Sequence, residues 1–295
     1  MRIGPATACS LFIAVLLMFC LSFNPASGQE ALKEANELNQ RAMTLQQAGK
    51  LAEAIPLARR ALALREQALG PTHPDVATSL SGLAGLLLFT ADYAEGQRLY
   101  ERALTIYEQA LGPTHPYVAT SLFNLGAGLV AIGDHAGALP LLERALKIQE
   151  QALGPTHPAM AKTLSLLGVS RLGVSQLSIE NIAEARLLLE RALKLQEQAL
   201  GPAHPDVAGS LMSLAVLLHT MGDYAGARGL FERALNITEQ TMGPSSMMIP
   251  RLLSALGRSE AGQQHYQVAF GIFQKGLLIQ DNIIQNIFSV TTEEQ

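Results

Sequence analysis

The chain has 295 residues, of which 48% are apolar and only 16% are charged, a balance that excludes a disordered protein. Its formal charge of −4 argues against nucleic acid as a partner, because binders of nucleic acid carry a basic patch. No run of like charges marks a tail or a polybasic membrane site. The first 28 residues differ in kind from the rest. Arg2 supplies a positive start, Leu11 to Phe23 is mostly apolar, Asn24-Pro25 breaks the run, and Ala26-Ser27-Gly28 offers small residues before Gln29. This is the pattern of a secretory signal peptide, residues 1–28, cleaved near Gly28/Gln29 and leaving an exported chain, periplasmic or secreted. An uncleaved anchor is the alternative, but the apolar run is short of the roughly 20 residues that span a bilayer. Membrane contact is therefore expected only through this segment, during export. Cys9 and Cys20 both lie inside it, so the mature chain has neither a disulfide nor a thiol nucleophile.

From Glu30 onward the apolar residues fall at helical spacing, and one string punctuates them. Gln-Ala-Leu-Gly-Pro-Thr-His-Pro occurs at 67–74, 109–116 and 151–158, with Gln-Ala-Leu-Gly-Pro-Ala-His-Pro at 198–205 and a worn copy at 241–245. Gly70, Gly112, Gly154, Gly201 and Gly243 are separated by 42, 42, 47 and 42 residues, and such a period marks a solenoid. In the unit 74–115, Pro74 opens a first helix bearing Val76, Leu80, Leu83, Ala84 and Leu87. Ala91-Asp92 makes the turn, with Asp92 as N-cap of a second helix from Tyr93 to Leu111. Gly112 stops that helix at positive φ, and the following proline prevents its continuation. Each unit is a helical hairpin, and six are expected: 31–69, 74–111, 116–153, 158–200, 205–242 and 247–284, with 285–295 as a capping extension and tail.

The pattern Leu83, Ala84, Leu87, Tyr93, Gly96, Tyr100 and Ala103 resembles a tetratricopeptide repeat. It recurs at Leu125, Gly126, Leu129, His135, Ala138, Leu142 and Ala145, and at Leu214, Ala215, Leu218, Tyr224, Ala227, Phe231 and Ala234. The 42-residue period exceeds the usual 34, and with the Leu-Gly-Pro-x-His-Pro linker it is similar to the kinesin-light-chain type, common in bacterial repeat proteins. The resemblance implies an all-α, right-handed superhelical solenoid of about six tetratricopeptide hairpins. Gly96 stands where the family has alanine.

The fourth unit carries five extra residues, because Gly168-Val169-Ser170-Arg171-Leu172 is followed by Gly173-Val174-Ser175-Gln176-Leu177. Five residues are about 1.4 helical turns, so lengthening the first helix would misdirect its apolar face. A lengthened, irregular turn near 173–181 is expected instead. At the far end, Leu277-Leu278-Ile279, Ile283-Ile284 and Ile287-Phe288 are more apolar than a solenoid cap requires, which leaves self-association or partner docking through the C-terminal helix as an alternative.

Signs of chemistry are few. His73, His115, His157 and His204 occupy one position in four different hairpins, about ten ångströms apart at helix-packing distance, so helix capping explains them better than a metal. Glu101-Arg102, Glu143-Arg144, Glu190-Arg191 and Glu232-Arg233 repeat with the array and read as a solvated charged face. Neither a nucleophile elbow, a phosphate-binding Gly-rich loop nor a His-Glu-x-x-His helix occurs, so no enzyme and no cofactor or metal is expected. Asn236-Ile237-Thr238 fits a glycosylation sequon, which matters only in a eukaryotic host. In the resembled family the first helices line a concave, partner-binding groove. Carried over by position, the lining is Thr78, Ser81 and Gly85, then Thr120, Phe123, Asn124 and Ala127. Lys162, Ser165 and Val169 follow, then Met212 and Val216, and finally Arg251, Ser254 and Arg258. The groove so defined reads as small, neutral and partly apolar, with Phe123 and Met212 either in it or packed between hairpins. The function expected is a protein-binding scaffold holding a peptide or partner helix of unknown identity; a structural spacer is the alternative.

Overall fold

A computed structural model describes residues 25–174, 178–244 and 246–293, the side chains of 25–27 and 286–293 aside. Among the described residues it holds twelve helices and no strand, an all-α helical repeat array. The helices pair as hairpins: α1 (Pro25–Gln47) with α2 (Leu51–Leu69), α3 (Pro74–Phe89) with α4 (Tyr93–Leu111), and α5 (Pro116–Ala131) followed by α6 (His135–Leu153). Then come α7 (Met160–Gly173) with α8 (Ile179–Leu200), α9 (Pro205–Thr220) with α10 (Tyr224–Met242), and α11 (Met248–Gly262) with α12 (Tyr266–Glu293). The chain forms two compact units, residues 1–128 and 129–295.

The linker string works as a helix stop followed by a helix start. Gly112 sits at φ +89 and ψ 157, and its N–H bonds the Glu108 carbonyl at 3.1 Å. A left-handed residue is the expectation there, but this backbone is extended at positive φ, a region open essentially to glycine alone. On the other side of the linker, Nδ1 of His73 accepts the N–H of Asp75 at 3.1 Å, and His115, His157 and His204 take those of Tyr117, Ala159 and Asp206 at 3.2 Å. His73, His115 and His204 thus cap orphan donors at a helix start, as their position predicts, whereas His157 makes the same bond within the turn ahead of α7, whose N-cap is Ala159. Inside the hairpins, Asp92, Asp134 and Asp223 cap α4, α6 and α10 by accepting from Glu95, Gly137 and Gly226.

Packing follows the repeat. Leu83, Ala84, Leu87, Tyr100 and Ala103 are buried, and burial pushes the Tyr100 phenol up to about 12. A Cβ on Gly96 would lie 3.2 Å from the Ala84 carbonyl oxygen, so the departure from alanine suits an unusually close helix approach. In residues 129–295 a core forms around Phe231, Leu211, Ala215, Ala234 and Leu252, each nearly or fully buried. Burying each large side chain of this kind contributes about 1.5–3 kcal/mol.

The repeated Glu-Arg pairs are more than a solvated face. Arg102 lies 2.6 Å from Glu66 and donates to the Pro71 carbonyl at 3.2 Å. Arg191 does the same with Glu150 and Pro155, both at 2.8 Å, and Arg233 with Glu197 at 2.7 Å and Pro202 at 3.1 Å. Each arginine ties its helix to the preceding second helix and to the linker between them.

The fourth hairpin absorbs its duplication without shifting register. Counted from Pro158, Gly173 is the sixteenth residue, matching the 16-residue helices α3 and α9. The connector 174–178 is two residues longer than 90–92 or 221–223, and α8 has 22 residues against 19 in α4 and α10, which accounts for all five. The irregular turn expected near 173–181 is therefore shorter than that span, because α8 already begins at Ile179, capped by Ser178 through the Asn181 N–H at 3.1 Å; residues 175–177 lie outside the described residues. The first helix stops in place because further turns would rotate its apolar stripe off the core. The added turn reaches into solvent, with Ile179 88% exposed.

Two further boundaries differ from expectation. Helix α1 begins at Pro25, inside the expected signal segment, whose residues 1–24 lie outside the described residues. Helix α12 runs unbroken through 284 to Glu293, so the expected extension 285–295 is largely a continuation of the last hairpin.

Candidate functional site

Position along the first helices decides what each expected groove residue can do. Taking the linker proline, or Met247 in the last hairpin, as the starting point, the residues four, seven and eleven further on share one helix face. In hairpin order the three positions carry Thr78/Ser81/Gly85, Thr120/Phe123/Ala127, Lys162/Ser165/Val169, Gly209/Met212/Val216 and Arg251/Ser254/Arg258. The structure gathers some of these into two recesses, one in each unit.

Within residues 1–128, Thr78, Ser81 and Thr120 line a recess of about 220 Å³ with Tyr107, Tyr117 and Ser121. All six carry hydroxyl groups. The Thr78 hydroxyl lies 3.3 Å from the Pro74 carbonyl, to which it can donate, and 2.9 Å from the Tyr107 hydroxyl, a contact in which either oxygen can be the donor. The two tyrosine rings lie 5.4 Å apart and tilted, Tyr117 half in solvent. Burial raises the Tyr107 phenol above its ordinary value, while the Thr78 bond opposes that shift. The Ser81 hydroxyl is buried without a partner. Gly85 instead backs onto the Tyr100 hydroxyl, where a Cβ would sit at 3.4 Å, and Phe123, Asn124 and Ala127 are half-buried outside this recess.

Within residues 129–295, Met212, Val216, Arg251, Ser254 and Arg258 line one recess of about 600 Å³, completed by Met247, Pro250, Ala255 and Gln280. A hollow of about 300 Å³ shares Val216, Ala255 and Arg258 and reaches inward to His219 and Phe231. Met212 both lines the recess and packs on the core behind it. Val216 is 43% exposed, an apolar side chain facing the opening. His219 contacts the Ser259 hydroxyl at 3.1 Å and meets the Tyr224 ring edge-on at 5.1 Å. Burial, and secondarily the Arg258 guanidinium, hold its imidazole below the ordinary value.

The expectation of a neutral groove fails here. Arg251 and Arg258 are exposed and, among the described residues, have no ion pair or hydrogen bond. Lys162, by contrast, faces Asp206 at 3.5 Å. Ser165 shares a 3.1 Å hydroxyl contact with Ser210, and Val169 packs beside Leu189 and Leu217. These three do not belong to the recess. Sequence reasoning missed Tyr107, Tyr117, His219 and Gln280, since it considered one face of the first helices alone. Tyr107 and Gln280 come from second helices, and only packing brings them to the recess walls.

Comparison with known proteins places this geometry. A family model described as tetratricopeptide repeat matches residues 34–95, 80–151, 169–240 and 206–281. The structure is similar to that of a Podosopora anserina protein described as kinesin light chain with nearly identical TPR-like repeats, at 25% identity and a TM-score of 0.57, covering 70% of this chain and 95% of that one. It is also similar in fold to BtubC (BKLC) from P. vanneervenii, with 20% identity, a TM-score of 0.60 and coverage of 81% and 91%. Pseudomonas aeruginosa pilF shows 20% identity, a TM-score of 0.54 and coverage of 83% and 90%. No curated protein matches the chain. Tetratricopeptide proteins generally mediate protein–protein interactions, and their scaffolds are generally non-enzymatic. The 42-residue hairpins, their capped linkers and the family match agree: this chain belongs to the tetratricopeptide-repeat family, with neighbours of the kinesin-light-chain type.

Proposed function

We propose that the chain is an exported, non-enzymatic scaffold that seats a peptide or partner helix in the recess of residues 129–295. The observation that carries this reading is the convergence of Met212, Val216, Arg251, Ser254 and Arg258 on one opening of about 600 Å³. An exposed apolar wall beside unpaired cations suits a protein ligand, which supplies both apolar anchors and charge. Export is supported by the segment 1–28, with its apolar run and small residues before Gln29. Among the described residues no helix is long and apolar enough to cross a membrane. A photo-crosslinking residue placed at Val216 should capture a discrete partner in the exported fraction, while one at exposed Lys147 should not. Equal capture at both positions, or none at Val216, would refute the reading.

A second reading, self-association through α12, is favoured by one comparison. At the repeat positions of Arg186 and Lys194, or Arg228 and Asn236, the last helix carries Phe270 and Leu278, which are 61% and 65% exposed. Light scattering should show a dimer that dissociates on Phe270→Arg with Leu278→Lys. A full-length chain already monomeric at micromolar concentration removes this reading.

A further inference from the structure

We infer that the ligand of the recess in residues 129–295 is an acidic amphipathic helix, with two carboxylates seven residues apart clasped by Arg251 and Arg258 and apolar residues between them against Met212 and Val216. The inference rests on the recess being the binding site.

Arginines elsewhere in this unit are occupied. Arg171 holds Glu143, Arg186 holds Glu190, Arg191 holds Glu150, Arg228 holds Glu232 and Glu260, and Arg233 holds Glu197. Arg144 also has a partner. Arg251 and Arg258 stand apart from this pattern. They are also singular in the repeat, because the equivalent positions carry Thr78 and Gly85, Thr120 and Ala127, Lys162 and Val169, or Gly209 and Val216. Residues that recur at the array period build the array. A pair of cations present once, on the rim of an apolar recess, answers to something outside it.

The spacing selects the ligand's conformation. Arg251 and Arg258 are two turns apart on α11, about 10.5 Å along its axis and on one face. In an extended peptide, residues facing the same way recur at about 6.7 and 13.4 Å, so neither interval matches. Residues seven apart on a helix match in both distance and direction. Between the arginines lie Ser254 and Ala255, side chains small enough to admit a neighbouring helix against the exposed flank of Val216. A ligand helix therefore needs acids at its first and eighth positions and leucine-like residues at its fourth and fifth.

The test is a displayed library of 15-residue helical peptides with randomised charged and apolar positions, selected on the full chain. Selected peptides are then titrated by calorimetry against the chain and against Arg251→Glu with Arg258→Glu. The expected outcome is enrichment of acids seven apart around an apolar pair, with affinity falling at least about tenfold on charge reversal, since two weak exposed pairs become two repulsions. Binding should also weaken steeply with salt. Circular dichroism checks that the double variant folds, which the exposure of both side chains predicts. Enriched peptides that lack the paired acids, or that bind the reversed variant equally well while Val216→Asp abolishes binding, would overturn the acidic-helix assignment and leave the recess standing. Selected peptides indifferent to Val216→Asp, or no enrichment at all, would overturn the recess together with the inference.

Discussion

The two recesses occupy equivalent places in their repeats and have opposite chemistry. In residues 1–128 the lining is six hydroxyl-bearing residues, and Tyr107 and Thr78 are already engaged with each other. In residues 129–295 the lining is Met212, Val216 and Pro250 beside two arginines that have no partner among the described residues. In the first recess Thr78, Tyr107 and Thr120 are engaged within the array while the Ser81 hydroxyl is left over; in the second the unengaged groups are charged. Repetition thus identifies what holds the array together, and departure from repetition identifies where a partner is to be sought.

The largest effect expected is at the floor of the second recess. Phe231 is 1% exposed and lies beneath the inner hollow, so Phe231→Ala should cost about 3–5 kcal/mol and lower the denaturation midpoint sharply. Survival of full stability would mean that the hollow is not seated on this core. Next comes the linker that spaces the hairpins. Gly201 holds φ +85 and ψ 156, so Gly201→Ala should cost about 1–3 kcal/mol in chemical denaturation. At Ala91, which takes φ +61 where the third and fifth hairpins have glycine, Ala91→Gly should raise stability by about 0.5–1 kcal/mol. In the first recess, Tyr107→Phe should cost about 0.5–1.5 kcal/mol, because Thr78 keeps its bond to Pro74. A comparable loss of partner binding from this change would erase the contrast between the two recesses.

Smallest and most specific is a pH effect. His219 has a folded value below its ordinary 6.5, owing to burial and then to Arg258. The unfolded chain therefore takes up the proton first as pH falls, and stability declines from about pH 7 through 6.5 down to the lower folded value. Facing the ring are Tyr224 and Ser259 besides Arg258, so no carboxylate reverses this sign. His219→Gln should flatten that part of the stability profile relative to the parent chain.

Much of this fold was legible because its signals are local. The histidine and aspartate caps act over two or three residues, and the linker glycines announce their own backbone need. The arginine ties were not legible, since Arg102, Arg191 and Arg233 find their carboxylates 36 or 41 residues away. Their recurrence was visible, but packing alone gives it meaning. The insertion was legible as a duplication, whereas its division between connector and α8 depends on holding the apolar stripe of α7 in place. Of the expected groove residues, Met212, Val216, Arg251, Ser254 and Arg258 line one recess. Lys162, Ser165 and Val169 went instead to neighbours within the array, because an ion pair, a hydroxyl contact and a core lay within reach.

Hydrogen exchange with and without a selected helical peptide tests the central claim most directly. The account predicts protection over 212–219 and 251–258 and unchanged exchange over 78–85 and 117–124. Protection confined to 78–85 and 117–124 would contradict it.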